Sequence, residues 1–355
     1  MSVSAKELLT QKLRNDITMY QLVFKWMPRK GDVASRLRSA FGWSPKFYRK
    51  TLVSLTKVVE TQMCAKDWSN INFSFVPSKA MTIYTKAFKR NAQDAFQLYK
   101  EALVTGEAKV NASAVFPHDV YKALMSSARG EEIVFSTQWN SLPDYMNEVN
   151  VLPMIDTSSS MNCSLGGSST VSCMDVAVSL GTYISQRTKG DFKNTFLTFS
   201  TTPTLEVIKG DTLREQFRNV LGSNWGGLTN INAGFQLILN KAVANKVPQE
   251  DMPKMLIILS DMQFDGADYG ARSVSGYSMA KQAFKDAGYE LPLIVFWNLH
   301  ATGNVPVTMN KEGVALVSGF SSAVLKSVLG GDLSPEKFTP KYIMINTLMN
   351  ERYAV

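Results

Sequence analysis

The sequence predicts a two-domain protein, in which an all-α, helical-repeat N-terminal module precedes a C-terminal α/β domain with a doubly wound sheet. Through residues 1–127, apolar side chains recur every three to four positions and strand-type alternation is absent. From residue 149 onward, short apolar runs alternate with amphipathic helices, as in sheets that are covered on both faces. The length of 355 residues suits two domains.

The N-terminal module is predicted to consist of short paired helices. Start signals such as Ser44-Pro45 and Pro77-Ser78 precede two of them. The predicted helices are 4–26, 32–41, 45–66, 78–90, 93–104 and 117–127. The predicted domains are therefore a helical module at 1–127, a connector at 128–148 and an α/β domain at 149–355.

In the α/β domain, parallel strands are expected to be buried on both faces and to end at a common edge. The predicted strands are 149–156, 194–200, 204–208, 254–261, 291–298 and 314–318. The predicted helices are 169–187, 211–221, 230–245, 275–287, 321–330 and 338–351. Ligands of such sheets bind at the carboxyl ends of strands, where the strand order reverses.

Oxygen-bearing side chains stand at the carboxyl ends of two predicted strands. Asp156, Ser158 and Ser160 follow the first strand, Asp261 ends the fourth, and Thr229 lies in a Gly-rich turn between them. Residues two apart in extended backbone point the same way, so these oxygens are predicted to converge. Oxygen-only ligands select one hard divalent cation, Mg²⁺ or alternatively Ca²⁺ or Mn²⁺. The alternative is that the serines only cap the next helix.

This set resembles the metal-ion-dependent adhesion site (MIDAS) of von Willebrand factor A domains, which has an Asp-x-Ser-x-Ser loop, a later Thr and a later Asp. Thr229 follows Asp156 by 73 residues and Asp261 follows Thr229 by 32, as in such domains. The resemblance implies that the hydroxyls bind the metal directly and that the aspartates act largely through water. It also implies an open coordination position that takes a carboxylate from a protein partner.

Positive charge is concentrated in the N-terminal part. Residues 1–150 carry 21 Lys and Arg against 13 Asp and Glu, whereas residues 151–355 carry 17 of each. Within 25–50, aromatic residues are interleaved with basic ones, and the candidate RNA-binding residues are Lys25, Arg29, Lys30, Arg36, Arg38, Arg49 and Lys50. These would neutralise phosphates while aromatic or Arg planes stack on unpaired bases. The alternative is a solvated charged face with Trp26, Trp43 and Phe47 packed in the helical core.

A second resemblance covers nearly the whole chain. Ro-like proteins combine a TROVE-type, HEAT-like helical module with a C-terminal von Willebrand A domain, and this chain is similar to their shorter bacterial, plant and viral relatives. The similar segments are 65–81, 110–112, 116–119, 264–265, 295–299 and 313–321. The resemblance implies binding of small or misfolded RNA by the helical module. Because the module holds at most three helix pairs, a closed ring within one chain is not expected, and a homo-oligomer is left open.

Composition predicts a cytoplasmic protein without a membrane span, or one in a host cytoplasm if the protein is viral. No apolar run approaches the ~20 residues of a membrane helix, and the N-terminus lacks the apolar core of a secretory signal. Cys64, Cys163 and Cys173 are too few for a disulfide framework and are interpreted as small packing residues.

No enzyme is predicted. A dinucleotide-binding domain needs Gly-x-Gly-x-x-Gly after the first strand, where this chain has Asp156-Thr157-Ser158. An aspartyl-phosphate phosphatase needs a second Asp at position 158, which is serine. The leading hypothesis is a non-enzymatic, Ro-like RNA-binding protein whose C-terminal domain binds a protein partner through the metal. The alternative is a metal-dependent scaffold or assembly protein without RNA.

Overall fold

The structure of the chain is a computed structural model that describes residues 31–55, 58–112, 114–128, 130–146, 149–165, 170–223, 230–261, 272–300, 307–311, 314–319, 322–330 and 345. These residues form two compact units. One contains the described residues up to Val76 together with Tyr84–Lys109, and the other contains Pro77–Ile83 and the described residues from Val110 onward.

The first unit is helical through its described residues, as predicted. Glycines in the left-handed conformation end two helices, since Gly42 (φ 65°) follows the first and Gly106 (φ 79°) follows the last. Its helices are α1 (Asp32–Phe41), α2 (Pro45–Leu55), α3 (Val59–Cys64), the C-terminal part of α4 (Ser78–Asn91) and α5 (Gln93–Thr105), with a 3-10 turn at Phe73–Phe75. The predicted helix 4–26 lies outside the described residues.

The predicted helix 45–66 is wrong, because the structure has two helices there. α2 ends at Leu55 and α3 begins at Val59, after Val58 takes an extended conformation (φ −108°, ψ 153°). The sequence around this break is rich in β-branched residues, whose restricted χ1 rotamers lower helix propensity.

Aromatic packing holds α4 and α5 of the first unit together. The ring of Phe73 lies 5.2 Å from that of Phe88, 5.1 Å from Phe96 and 5.4 Å from Tyr99, between ring centroids. All four side chains are buried. Such pairs contribute roughly 0.5–1.5 kcal/mol each beyond the burial of their area, so this cluster fixes the angle between the two helices.

The second unit is an α/β structure with mostly parallel strands, as predicted. Its strands are β1 (Val151–Ile155), β2 (Thr195–Thr198), β3 (Leu205–Val207), β4 (Met255–Ser260), β5 (Leu293–Asn298), β6 (Val307–Lys311) and β7 (Val314–Ser318). Its further helices are α6 (Pro117–Ser126), α7 (Glu132–Asn140), α8 (Cys173–Arg187), α9 (Leu213–Leu221), α10 (Ile231–Asn245), α11 (Arg272–Asp286) and α12 (Ser322–Leu329). Short 3-10 turns occupy Ser159–Asn162, Gly190–Phe192 and Gln249–Asp251.

In the described residues the strand order of the sheet is β3-β2-β1-β4-β5-β7-β6. β2, β1, β4, β5 and β7 are parallel, and the two edge strands, β3 and β6, pair antiparallel to their neighbours. Every residue of β1 and β4 is buried, as expected for parallel strands covered on both faces. Two clusters of buried apolar side chains pack on these strands.

Close packing of α8 against β1 depends on Gly181. A Cβ atom at this position would lie 2.6 Å from Cγ1 of Ile155, the last residue of β1. The helix can therefore approach the strand only because this residue has no side chain. This contact fixes the backbone immediately before Asp156.

Residues 110–146, which the sequence analysis assigned to the helical module and the connector, pack within the second unit. Trp139 of α7 donates its indole N–H to Oε1 of Gln186 at 2.7 Å. The hydroxyl of Tyr183 donates to the carbonyl of Pro143 at 2.6 Å and accepts from the N–H of Tyr145 at 2.9 Å. A helix, α7, thus lies where a connector was expected, because its buried aromatic side chains pack against α8.

Strand β6 was not predicted. It pairs antiparallel with β7, with a register shift between Thr308 and Lys311. The predicted helix at 338–351 lies outside the described residues except for Ile345, which is helical.

Candidate functional site

The carboxyl ends of β1 and β4 meet where the strand order of the sheet reverses. β1 has β2 on one side and β4 on the other. The N–H of Asp156 donates to the carbonyl of Leu259 at 3.1 Å, so the loop that leaves β1 starts in register beside the end of β4. Open α/β sheets bind their ligands in this crevice.

The loop after β1 brings Asp156, Ser158 and Ser160 together. The N–H of Ser158 donates to Oδ1 of Asp156 at 2.9 Å, and the hydroxyls of Ser158 and Ser160 lie 3.0 Å apart in a shared hydrogen bond. Neither serine caps the following helix α8, because Ser172 does so by accepting from the N–H of Asp175 at 3.1 Å. The capping alternative for these two serines is therefore wrong for α8.

Ser260, which the sequence analysis did not single out, fixes the second oxygen of Asp156. Its hydroxyl donates to Oδ2 of Asp156 at 2.7 Å, and both side chains are buried. Ser260 is the last residue of β4 and directly precedes Asp261. Its position, a hydroxyl at a strand end next to a candidate carboxylate, is the feature of the sequence that could have indicated a role at this site.

Two buried carboxylates lie at this edge of the sheet. Asp261 is 3% exposed, and its N–H donates to Sδ of Met161 at 3.1 Å. Burial raises the pKa of Asp156 above its ordinary value, the Asp261 carboxylate adds to this rise, and the hydrogen bonds from Ser158 and Ser260 oppose it. Among the ion pairs of the described residues, none involves Asp156. A cation at this edge would therefore relieve repulsion between two acids in a dry environment.

Thr229, the fifth predicted ligand, lies outside the described residues. Its neighbour Asn230 donates its N–H to the carbonyl of Ser200 at 3.1 Å, just beyond the carboxyl end of β2. The side chain of Asn230 then caps α10 by accepting from the N–H of Ala233 at 3.0 Å. The start of α10 is thus anchored near the end of β2, the strand beside β1.

The donor set fits a hard divalent ion. Carboxylate and hydroxyl oxygens are the ligands that Mg²⁺ and Ca²⁺ prefer, and no thiolate or imidazole belongs to the set. Within the part of the chain that the structure describes, no three His, Cys, Asp or Glu side chains form a metal-binding group. A metal at this edge would consequently depend on serine hydroxyls as well as on the two aspartates.

The chain matches two protein families. The family described as "Domain of unknown function (DUF7788)" matches residues 150–347, more than half of the chain. The chain belongs to the DUF7788 family. A second family, "Domain of unknown function (DUF2828)", matches residues 8–152. All five predicted metal ligands lie in the DUF7788 region, and the predicted RNA-binding residues lie in the DUF2828 region.

Two individual proteins are similar to this DUF7788 chain. One is the Uncharacterized protein L728 of Acanthamoeba polyphaga mimivirus, 30% identical over 358 residues; the alignment covers 92% of the chain and 60% of that protein. The chain thus spans 60% of the length of this curated relative. The other is the crystal structure of the Ro (RSR) protein of Deinococcus radiodurans, with a TM-score of 0.44, 14% identity, and coverage of 92% of this chain and 76% of that one.

The DUF2828 region contains four described residues among the seven predicted to bind RNA. Arg36 pairs with Asp32 at 2.8 Å, Arg38 donates to Oγ of Ser35, and Arg49 donates to a backbone carbonyl of its own helix. Arg36, Arg49 and Lys50 are exposed, whereas Arg38 is partly buried. The remaining three, Lys25, Arg29 and Lys30, lie outside the described residues.

The aromatic residues of this segment form a small cluster centred on Trp43. Its ring lies 5.0 Å from Phe41, 5.2 Å from Phe47 and 6.3 Å from Tyr48, between centroids. Tyr48 is buried, while Phe47 is 53% exposed. The cluster therefore packs α1 on α2 through Trp43 and Tyr48 and leaves one ring, Phe47, at the surface.

Two cysteines of the DUF7788 region lie against each other beside the candidate metal loop. The sulfur atoms of Cys163 and Cys173 are 3.2 Å apart, and the N–H of Cys173 donates to the carbonyl of Cys163 at 3.0 Å. Burial raises the pKa of the Cys173 thiol, and the neighbouring Cys163 adds to the rise. This contact joins the end of the loop to the first turn of α8.

None of the described helices is both long enough and apolar enough to cross a membrane.

Proposed function

We propose that this DUF7788 protein is a non-enzymatic RNA-binding protein. Its helical module binds small or misfolded RNA, and its α/β domain is of the von Willebrand A type and binds a protein partner through one divalent metal, with Mg²⁺ as the first candidate. The observation that carries the proposal is the convergence of Asp156, Ser158 and Ser160 beside Ser260 and Asp261 at the strand-order reversal.

The chemistry of the proposed metal site follows from its ligands. Bound there, the divalent ion supplies an electrophilic centre for an oxygen from outside the chain. Asp156 is held at both oxygens, by the N–H of Ser158 and the hydroxyl of Ser260, so its position does not depend on the ion. The serine hydroxyls are neutral, and two carboxylates balance the charge of the cation without excess. Because neutral hydroxyls donate little electron density, the cation would stay electrophilic and would accept a partner carboxylate at an open coordination position.

Removal of Asp156 tests the metal part of the proposal. Titration of the protein with Mg²⁺ in a calorimeter is expected to detect uptake of one ion per chain, and Asp156→Ala is expected to abolish it. The fold should survive, because the substitution removes a carboxylate that burial already disfavours. Asp211→Ala, at an exposed position of the same unit, is the control and should bind as the wild type does. No ion uptake by the wild type, or full uptake by Asp156→Ala, contradicts the metal site.

The RNA part of the proposal is supported by the net charge of +8, which lies wholly in residues 1–150. Purified protein is expected to carry RNA, visible as a raised ratio of absorbance at 260 and 280 nm and recovered by extraction. RNA affinity should fall steeply with salt and should not change in Asp156→Ala, because the candidate metal site belongs to the other unit.

A metal-dependent scaffold without RNA is the second candidate function. The candidate metal site uses side chains of the second unit alone, so it can bind a partner whether or not the first unit binds RNA. A scaffold releases its partner when a chelator removes the metal and carries no nucleic acid after purification. The absorbance measurement separates the two candidates.

A further inference from the structure

A basic pocket lies between helices α4 and α5 of the first unit. Its volume is about 350 Å³, close to the ~300 Å³ at the lower end of ligand-binding pockets. Its lining consists of Lys86, Lys89, Arg90, Gln93, Phe96, Gln97 and Lys100. Four of these seven residues are cationic and none is acidic.

The two helices place the polar groups on opposite walls of the pocket. Lys86, Lys89 and Arg90 are three and four residues apart on α4 and therefore share a face. Gln93, Gln97 and Lys100 follow the same spacing on α5, which a single residue, Ala92, separates from α4. The buried aromatic cluster around Phe73 packs these helices together, so the lining residues of both helices are held side by side.

The aromatic residue of the lining forms its floor. Phe96 is 1% exposed, so its ring face is not available for stacking on a base. The ammonium of Lys100 lies 5.9 Å from the centre of this ring. A ligand of this pocket would consequently be bound by the cationic and amide side chains of the lining.

Basic residues in the last turn of a helix also have a structural explanation. Lys89 and Arg90 end α4, where positive charge favours the negative end of the helix dipole. That explanation covers neither Lys86, one turn earlier, nor Lys100, on the other helix. Lys86 and Arg90 are exposed, and neither forms an ion pair with another described residue. Lys86 and Arg90 lie one turn apart on the same face of α4, and two like charges so placed repel each other unless an anion lies between them.

We propose that this pocket binds the phosphodiester backbone of single-stranded RNA, which deepens the proposed RNA-binding function and rests on it. Arg90 offers a planar fork to a phosphate, and the lysines act as point charges beside it. The amides of Gln93 and Gln97 reach sugar hydroxyls, although Gln97 also donates to Glu101 at 2.8 Å. Binding through phosphates, without stacking, tolerates any base sequence.

Substitution of two exposed basic residues of the pocket by uncharged ones tests whether the pocket binds RNA. In the full-length protein, Lys86→Gln combined with Arg90→Gln is expected to weaken binding of a fluorescein-labelled oligouridylate about tenfold at ~100 mM salt, measured by fluorescence anisotropy. The slope of log affinity against log salt should fall by roughly 1.4, since each lost phosphate contact removes about 0.7 for single strands. An oligoadenylate should lose affinity by the same factor.

The matched control is Lys281→Gln combined with Lys285→Gln, which removes the same charge from exposed positions of α11 in the second unit. It should lower RNA affinity by less than about twofold, because only long-range electrostatic attraction to the RNA is reduced.

Equal RNA affinity of the pocket variant and this control would overturn the proposal for the pocket, but not the proposal that the protein binds RNA. A wild-type protein that binds no RNA at all overturns the proposed function itself. If inorganic tripolyphosphate binds the wild type and is lost in the pocket variant while RNA affinity is unchanged, the pocket binds a small phosphate and the RNA assignment is wrong.

Discussion

Asp156 is oriented by two groups, the N–H of Ser158 and the hydroxyl of Ser260, and the second of these was not predicted from the sequence. The spacing of Asp156, Ser158 and Ser160 was visible in the sequence because alternate residues of an extended loop face the same way. The bond from Ser260 to Asp156 was not visible, since it joins residues 104 positions apart across two paired strands. Which hydroxyl reaches which carboxylate oxygen depends on the register between β1 and β4, and register is a property of the folded sheet.

Ser260→Ala is expected to weaken the proposed metal binding by about 10- to 100-fold, the usual effect of removing a group that orients a ligand. Without this hydroxyl, Asp156 keeps its bonds from Ser158 but loses the one that holds Oδ2 to the end of β4, so the carboxylate is held less firmly. Calorimetric titration with Mg²⁺ measures the change. Ser185→Ala is the control, because its hydroxyl is also buried but bonds within α8, to Gly181. If the two variants bind the ion equally well, Ser260 does not orient Asp156.

At the scale of helices and strands, apolar runs in the sequence predict most strands of the sheet. The elements that were not predicted, β6 and α7, are stabilised by their packing against neighbouring elements. The runs at β1, β4 and β5 are long and continuous, so their strands were predicted to within two residues. β6 was missed because Val307–Lys311 contains little apolar sequence, and its pairing partner β7 determines its conformation. α7 was missed because Glu132–Asn140 contains β-branched and aromatic residues with weak helix propensity. Its buried Phe135 and Trp139 supply the stability that propensity does not.

The close approach of α8 to β1 predicts that Gly181→Ala destabilises the fold by about 1–3 kcal/mol, the usual cost of overpacking a core. Alanine gains roughly 1 kcal/mol over glycine in a helix, but its Cβ would press on Ile155, 2.6 Å away. Urea unfolding followed by circular dichroism measures the difference.

Gly234→Ala, in α10, is the matched control for this substitution. The nearest atom to the added Cβ there is the flexible end of Met154, at 3.2 Å. That side chain can move, so the change should be neutral or stabilising. A Gly181→Ala protein as stable as the wild type would contradict the close contact between α8 and β1.

At the scale of the whole molecule, stability should depend on pH through His118, in the first turn of α6. Burial lowers the pKa of this imidazole below 6.5; Asp119 and Asp175 oppose the change, and Lys79 and Lys122 add to it. The unfolded chain thus binds a proton that the folded chain does not. The stability contributed by His118 is fully present above pH 6.5 and is lost as the pH falls through the lowered pKa.

His118→Gln is therefore expected to reduce the loss of stability between about pH 7.5 and pH 5.5. Each difference of one between the folded and unfolded pKa values corresponds to about 1.4 kcal/mol, so the variant should lose measurably less stability than the wild type between these two pH values. The free energy of unfolding is measured by urea unfolding at both pH values for the variant and for the wild type. Because the carboxylates titrate in both proteins, the difference between the two proteins reports on His118. Parallel stability profiles for the two proteins would show that His118 titrates alike in the folded and unfolded chains.

For the whole molecule, the sequence predicts that positive charge is concentrated in the N-terminal part, but it does not predict which basic side chains lie close together in the folded chain. The predicted RNA-binding residues all lie within the contiguous segment 25–50, whereas the pocket between α4 and α5 gathers Lys86 and Lys100 from either side of a tight helical turn. Residues 14 positions apart become neighbours only when both helices and the turn between them are known.

The antiparallel edge strands have a consequence for self-association. Edge strands offer unpaired backbone groups on which a second chain can polymerise into a continuous intermolecular sheet. Here β3 is only three residues long, and β6 departs from regular register between Thr308 and Lys311. Neither of these two described edges presents a long, flat template, so filament growth by addition of a strand to either edge is disfavoured.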